Sequence, residues 1–177
     1  MRLFFALWPD AVTQQHWFYS SGPLVNALGG NRTPAANLHL TLHFLGEVDG
    51  SRVSALTRLA DAAVADSIDL RFDRIECWRK ADLACLRPAA ETAGLSRLVN
   101  QLADGLAHAG FVMEKRQFKA HVTLARSLRH PQAALPLWPA LDWRADTLAL
   151  VRSRLSATGP VYAPVAQWPL ALPSAKG

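Results

Sequence analysis

His39-Leu40-Thr41-Leu42 and His121-Val122-Thr123-Leu124 are two copies of one tetrapeptide in a chain of 177 residues. With 6 His, 8 Thr and 27 Leu available, His-x-Thr-Leu is expected about 0.04 times by chance, and two copies about once in a thousand shuffles. Both copies lie in apolar stretches that read as strands. In a strand, positions i and i+2 share a face. His39 and Thr41 therefore project together, backed by Leu40 and Leu42 in the core, and His121 and Thr123 do the same on Val122 and Leu124.

Outward from these strands, the pattern predicts an α+β or α/β chain with two or three main helices and about seven strands. Arg2–Trp8 reads as a buried strand stopped by Pro9. Asp10 caps a helix through Tyr19, with Val12 and Trp17 inward. Ser20–Pro34, punctuated by Gly22, Pro23, Gly29 and Gly30, reads as loop. Leu38–Leu45 is the first repeat strand, closed by Gly46. Ser51 is the expected cap of a helix carrying Val53, Leu56, Ala60 and Ala63 on one face. Ile68, Leu70 and Phe72 alternate, then the apolar phase shifts to Ile75 and Cys77, the mark of a bulge. Leu83–Leu86 pairs back as a hairpin. Thr92–Ala109 is the clearest helix, with Leu95, Leu98, Val99, Leu102 and Leu106 at helical spacing and Gly110 at its end. Phe118–Ala125, Asp146–Leu155 and Val161–Leu170 are the remaining strands. No linker divides the chain, so residues 1–177 are expected to form one domain.

Half the residues are hydrophobic and 19% are charged, enough to bury a full core and to exclude long disorder. No apolar run approaches the roughly 18–20 residues that span a bilayer. The run Leu3–Trp8 lacks the flanks of a signal peptide. Two cysteines, Cys77 and Cys85, are too few for a disulfide scaffold; they are expected to be a reduced, buried pair, facing each other if the hairpin loop is three residues long. These features predict a soluble, cytoplasmic protein with no membrane attachment; a monomer is expected, although none of them decides the oligomeric state. The net charge of +5 is uneven: residues 1–110 carry 10 Lys/Arg against 11 Asp/Glu, and residues 111–177 carry 9 against 3. Lys115, Arg116, Lys119, Arg126 and Arg129 cluster in one segment. Such a field favours phosphate-bearing partners, with a solvated basic face as the plain alternative.

Two imidazoles and two hydroxyls around one groove suit the opening of a cyclic phosphodiester. Water loses a proton as it attacks phosphorus, and the departing sugar oxygen gains one. Histidine titrates near neutrality and can do both. Threonine hydroxyls can hold the non-bridging oxygens. This chemistry requires no metal or other cofactor.

The repeats resemble the two-histidine (2H) phosphoesterase superfamily, and within it the bacterial RNA 2′,3′-cyclic phosphodiesterase (2′-5′ RNA ligase) family. The likeness extends through Arg2-Leu3-Phe4-Phe5-Ala6-Leu7-Trp8-Pro9, Phe44-Leu45-Gly46, Ala125-Arg126, Val151-Arg152-Ser153-Arg154-Leu155 and Trp168-Pro169-Leu170. It implies a bilobal fold, two pseudo-symmetric lobes of antiparallel sheet with outer helices around a central groove. It implies His39 and His121 as the acid–base pair, and Thr41, Thr123 and Arg126 as phosphate ligands. The implied reaction is hydrolysis of RNA or nucleotide 2′,3′-cyclic phosphate ends to 2′-phosphomonoesters, with 2′-5′ joining in some members. Family members commonly carry a proline before the second histidine, where this chain has Ala120. The rival readings are a non-catalytic RNA- or nucleotide-binding module and a phosphodiesterase for another cyclic or 2′-5′ linkage.

Strict alternation leaves two expectations for the structure to decide. It puts His43 on the His39–Thr41 face, as a third site histidine or a groove-wall residue. It puts Arg126 opposite His121 and Thr123, unless the strand ends or bulges near Ala125. Trp8, Trp78 and Trp168 are expected in the core, with Phe5 or Trp8 as the aromatic that stacks on a base. Arg152 and Arg154 extend the basic surface or are simply solvated, and His16, His108 and His130 are surface residues.

Overall fold

The two repeat strands are neighbours at the centre of one sheet. They are β3 (Leu40–Glu47) and β6 (Val122–Arg126), antiparallel, and they meet at Leu40 and Val122. The structure, a computed structural model, describes residues 1–63, 65–90, 92–112, 117–135, 138–157 and 159–171. The other strands are β1 (Arg2–Leu7), β2 (Asn31–Arg32), β4 (Ile68–Trp78), β5 (Leu83–Pro88), β7 (Leu141–Ala145), β8 (Thr147–Ser156) and β9 (Gly159–Pro169). Together they form a nine-stranded sheet in the order β7-β4-β5-β6-β3-β1-β8-β9, with β2 paired to β6. Every named pairing is antiparallel. Four strands lie on each side of the centre, so the two repeats occupy equivalent inner positions of two lobes.

Among the described residues, four α-helices cover one face. In α1 (Ala11–Ser20) the Asp10 carboxylate accepts from the Thr13 N–H at 2.7 Å, the expected cap. Trp17 is buried but Val12 is exposed; Gln14 takes the second inward place. The segment expected as loop contains α2 (Gly22–Leu28). Its glycines and proline mark boundaries: Pro23 fits the first turn, where no N–H partner is needed, and Gly29 closes the helix at φ +63°. The helix α3 (Val53–Ala62) is preceded by a 3₁₀ turn, Gly50–Arg52, so Asp49 rather than Ser51 does the capping. Thr92 caps α4 (Ala93–His108) as expected.

Leu3, Phe5 and Leu7 of β1, Leu40 and Leu42 of β3, Val122 and Leu124 of β6 and Leu148 and Leu150 of β8 bury themselves beneath these helices. Each fully buried side chain of this size contributes about 1.5–3 kcal/mol. Trp17 meets Phe72 of β4 and Trp143 of β7 edge-on at 5.5 and 5.0 Å, so α1 covers the second lobe. The helix α3 lies over the first, where the Trp168 indole N–H donates to Asp61 at 2.6 Å. On the opposite face Phe4, Ala6, Ala149 and Val151 form a smaller apolar floor edged by Trp8 and Tyr162.

Candidate active site

The register at Leu40 and Val122 determines the site. Those two residues face the helices, so their neighbours face away. His39 stands across from Thr123, and Thr41 across from His121, on the open face. The two histidines are then diagonal neighbours, a relation that separates Cβ atoms by about 7 Å, enough for one phosphoryl group between two imidazoles.

Both rings are aimed by the same device. His39 Nδ1–H donates to the Asn37 carbonyl at 2.7 Å, and His121 Nδ1–H donates to the Lys119 carbonyl at 2.8 Å. A carbonyl only accepts, so each neutral ring carries its proton on Nδ1 and presents a bare Nε2. The Thr41 hydroxyl donates to His39 Nε2 at 2.9 Å. Asn37 does more than orient the ring. Its buried amide donates to the Pro160 carbonyl at 2.7 Å and accepts from the Tyr162 N–H at 3.4 Å, tying β9 to the site.

The surroundings of the two rings differ. His39 is stacked by Phe4 at 4.9 Å and Trp8 at 5.4 Å and met edge-on by Tyr162 at 5.1 Å. Burial in this aromatic box pulls its imidazole down to about 4, with the Asn37 carbonyl opposing and His121 and Arg126 adding to the depression. Burial also lowers His121, opposed by the Lys119 carbonyl and reinforced by the charges of Arg87 and Arg126. Trp78 packs against His121 at 4.6 Å. The Trp78 indole N–H donates to Glu76 at 2.7 Å, Glu76 pairs with Arg87 at 3.0 Å, and Arg87 Nε donates to the Ala120 carbonyl at 3.2 Å.

A bulge brings Arg126 into the site. Cys85 pairs with Thr123 and Ala84 with Ala125, leaving Leu124 as the extra residue of β6. Leu124 and Ala125 both turn to the core, and Arg126 returns to the face of His121 and Thr123. Beyond it, Ser127 takes a left-handed φ of +55°, held by its N–H on the Asp82 carbonyl at 2.9 Å. The mirror event in β3 removes His43. Thr41 pairs with Ala6 and His43 with Phe5, so Leu42 is extra and His43 turns towards the helices, bonded to the Val99 carbonyl at 2.8 Å. The expected sharing of a face by His43 with His39 and Thr41 is therefore corrected.

Other expectations divide. Phe5 is fully buried on the helix side and cannot stack on a ligand. Trp8 and Trp78 flank the histidines rather than filling the core, while Trp168 packs at its margin against Phe5. Cys85 pairs with Glu76, not Cys77, because four residues, Arg79–Asp82, close the hairpin; both thiols are free. Arg152 pairs with Leu3 and so belongs to the helix-side face. Lys115 and Arg116 lie outside the described residues. His16, His108 and His130 are exposed as expected. Among the described residues no cluster of three or more His, Cys, Asp or Glu is placed to hold a metal ion, and no helix is long and apolar enough to cross a membrane.

Residues 9–156 match the family model described as the 2′-5′ RNA ligase superfamily. The chain belongs to the 2′-5′ RNA ligase superfamily. It is 30% identical over 174 residues to the RNA 2′,3′-cyclic phosphodiesterase of Escherichia coli K12, covering 96% of each chain. Among solved members, E. coli LigT complexed with 3′-AMP superposes with a TM-score of 0.81 at 28% identity, covering 96% of this chain and 97% of that one. TT0787 of Thermus thermophilus gives 0.74 at 25% identity, covering 98% and 100%. This superfamily member therefore shares the α+β, curled-sheet architecture of those structures along nearly its whole length.

Proposed function

We propose that the protein hydrolyses 2′,3′-cyclic phosphate ends of RNA or nucleotides to 2′-phosphomonoesters, with reversible 2′-5′ joining when an RNA 5′-hydroxyl attacks phosphorus in place of water. The observation that carries this reading is the pair of imidazoles on one face, each held at Nδ1 by a carbonyl and each presenting Nε2. The relatives named RNA 2′,3′-cyclic phosphodiesterase support the substrate class.

His121 is the base and His39 the acid. His121 Nε2 has no hydrogen-bond partner among the described residues and takes a proton from water as its oxygen bonds to phosphorus. The bond from phosphorus to O3′ breaks, and O3′ takes a proton from His39 Nε2. The Thr41 hydroxyl, already on that nitrogen, can turn to accept from the imidazolium. The negative charge of the bound phosphodiester favours the protonated ring that burial otherwise resists. Thr41, Thr123 and Arg126 hold the non-bridging oxygens in line. Solvent exchange afterwards returns the two rings to their starting states. The continuous sheet supports a single bilobal domain, and a monomer in the cytoplasm is proposed with it.

The test is a short RNA ending in a 2′,3′-cyclic phosphate, incubated with the protein in EDTA, with 2′- and 3′-phosphate products resolved. Conversion to the 2′-phosphate, lost in His39→Ala and in His121→Ala, is the expected outcome. Binding without conversion would replace this reading with a binding module, and full activity in both variants would remove the histidines from the mechanism.

A further inference from the structure

Aligned by their repeats, the two sides of the site differ in kind. On the β3 side, Ala6 stands opposite Thr41, and alternation along β1 sets Trp8 beside His39. On the β6 side, Cys85 stands opposite Thr123, and alternation along β5 sets Arg87 beside His121. Past the two bulges, the equivalent positions hold Phe44 in one lobe and Arg126 in the other. The β3 side therefore presents Phe4, Trp8, Phe44 and Tyr162, all uncharged aromatics. The β6 side presents two guanidiniums, that of Arg126 and that of Arg87 paired with Glu76, together with Trp78 packed against His121. A ligand with an anionic end and a flat, neutral end has one favourable orientation across such a site.

Within the aromatic set, the rings differ in how much surface they have left. Phe4 is 2% exposed. Trp8 spends a face on His39, and Tyr162 sets its edge against both Phe4 and His39. Phe44 is 49% exposed and leans on Phe4 alone in this group, at 5.8 Å and 47°. It is the one phenylalanine left so open among the described residues. A half-open ring at the rim of a polar site is an unfavourable place for apolar surface unless a ligand covers it.

We propose that Phe44 is the platform on which the base of the terminal nucleotide stacks, so that the site prefers nucleoside 2′,3′-cyclic phosphates to base-free cyclic phosphates. This rests on the proposed hydrolysis and adds its specificity element. The ring offers no hydrogen bond, so it reads the presence and area of a base rather than its identity. Purines are accordingly favoured modestly over pyrimidines.

The experiment compares adenosine 2′,3′-cyclic phosphate with methyl β-D-ribofuranoside 2′,3′-cyclic phosphate, which keeps the ribose and lacks the base. Steady-state constants are measured for the unmodified protein, Phe44→Ala, Phe44→Leu and Phe44→Tyr. For the nucleotide, Phe44→Ala is expected to raise KM about five- to thirty-fold with kcat little changed. Phe44→Leu should lose nearly as much, and Phe44→Tyr should stay within about twofold. The base-free substrate should change less than about twofold in all three. Equal losses on both substrates would mean that Phe44 only props Phe4 and His39, and no loss on either would mean that the base lies elsewhere; either overturns the platform while leaving hydrolysis standing. An unmodified protein inert towards both substrates would overturn the hydrolase reading and the platform together.

Discussion

Replacing His39 with Gln should make the protein less sensitive to acid. Burial among Phe4, Trp8 and Tyr162 holds the folded imidazole at about 4, against 6.5 for the ordinary group. The unfolded chain therefore binds the proton first. The stability associated with the neutral ring is complete above about pH 6.5 and is lost as pH falls towards 4, where the loss levels off. At pH 5 the unfolded ring is nearly all protonated and the folded ring mostly neutral, so the loss relative to pH 7.5 is about 2 kcal/mol. For any folded value between about 3 and 5 the loss stays within about 1.5–2 kcal/mol. His43 and His121, also lowered by burial, remain in both proteins and largely cancel in the comparison. Urea unfolding followed by tryptophan fluorescence, at pH 7.5 and 5.0 in phosphate-free buffer, measures the difference. The native protein should lose about 1.5–2 kcal/mol more than His39→Gln. Equal losses within about 0.5 kcal/mol would show that water reaches the ring and that the aromatic box does not govern its charge. Adding a nucleoside 2′-monophosphate should shrink the difference, because its anionic group raises the His39 value.

Three further outcomes follow from the same geometry. Arg126→Ala should lower kcat/KM for a cyclic phosphate about tenfold to a hundredfold with little change in stability, because the side chain is exposed and its work is charge-assisted bonding; unchanged kinetics would remove it from the site. Gly30→Ala places a methyl 2.8 Å from both the Arg126 carbonyl and Leu128 Cδ2. It should cost about 1–3 kcal/mol in urea unfolding and reduce activity by displacing the β6 bulge. His43→Gln, which can still reach the Val99 carbonyl, should keep kcat/KM within about twofold and cost no more than about 1 kcal/mol; a large loss of kcat would return His43 to the chemistry.

Much of the molecule is legible without coordinates. Two His-x-Thr-Leu copies can be recognised by counting, and period-two alternation puts each histidine with its threonine on one face. Helix α1 follows from Asp10 as a cap, helix α4 from Thr92 as a cap and from apolar spacing, and the phase shift after Phe72 correctly marks a bulge. The helix α2 was hidden because Gly22, Pro23, Gly29 and Gly30 are equally at home in a loop and at the two ends of a seven-residue helix. The strand β7 escaped because five residues at a sheet edge carry too little pattern.

What only the tertiary structure decided is where alternation stops. The single extra residues Leu42 and Leu124 turn His43 away from the site and bring Arg126 into it. Nothing local specifies them. Each bulge exists because neighbouring strands and covering helices accept two consecutive inward side chains at that point, Leu42 with His43 and Leu124 with Ala125. The aromatic box around His39 has the same origin: Phe4, Trp8 and Tyr162 come from opposite ends of the chain and meet because β1 lies between β3 and β8. The sequence by itself determined which side chains could do the chemistry. Packing of distant segments decided which of them share a face and how far their charges are shielded from water.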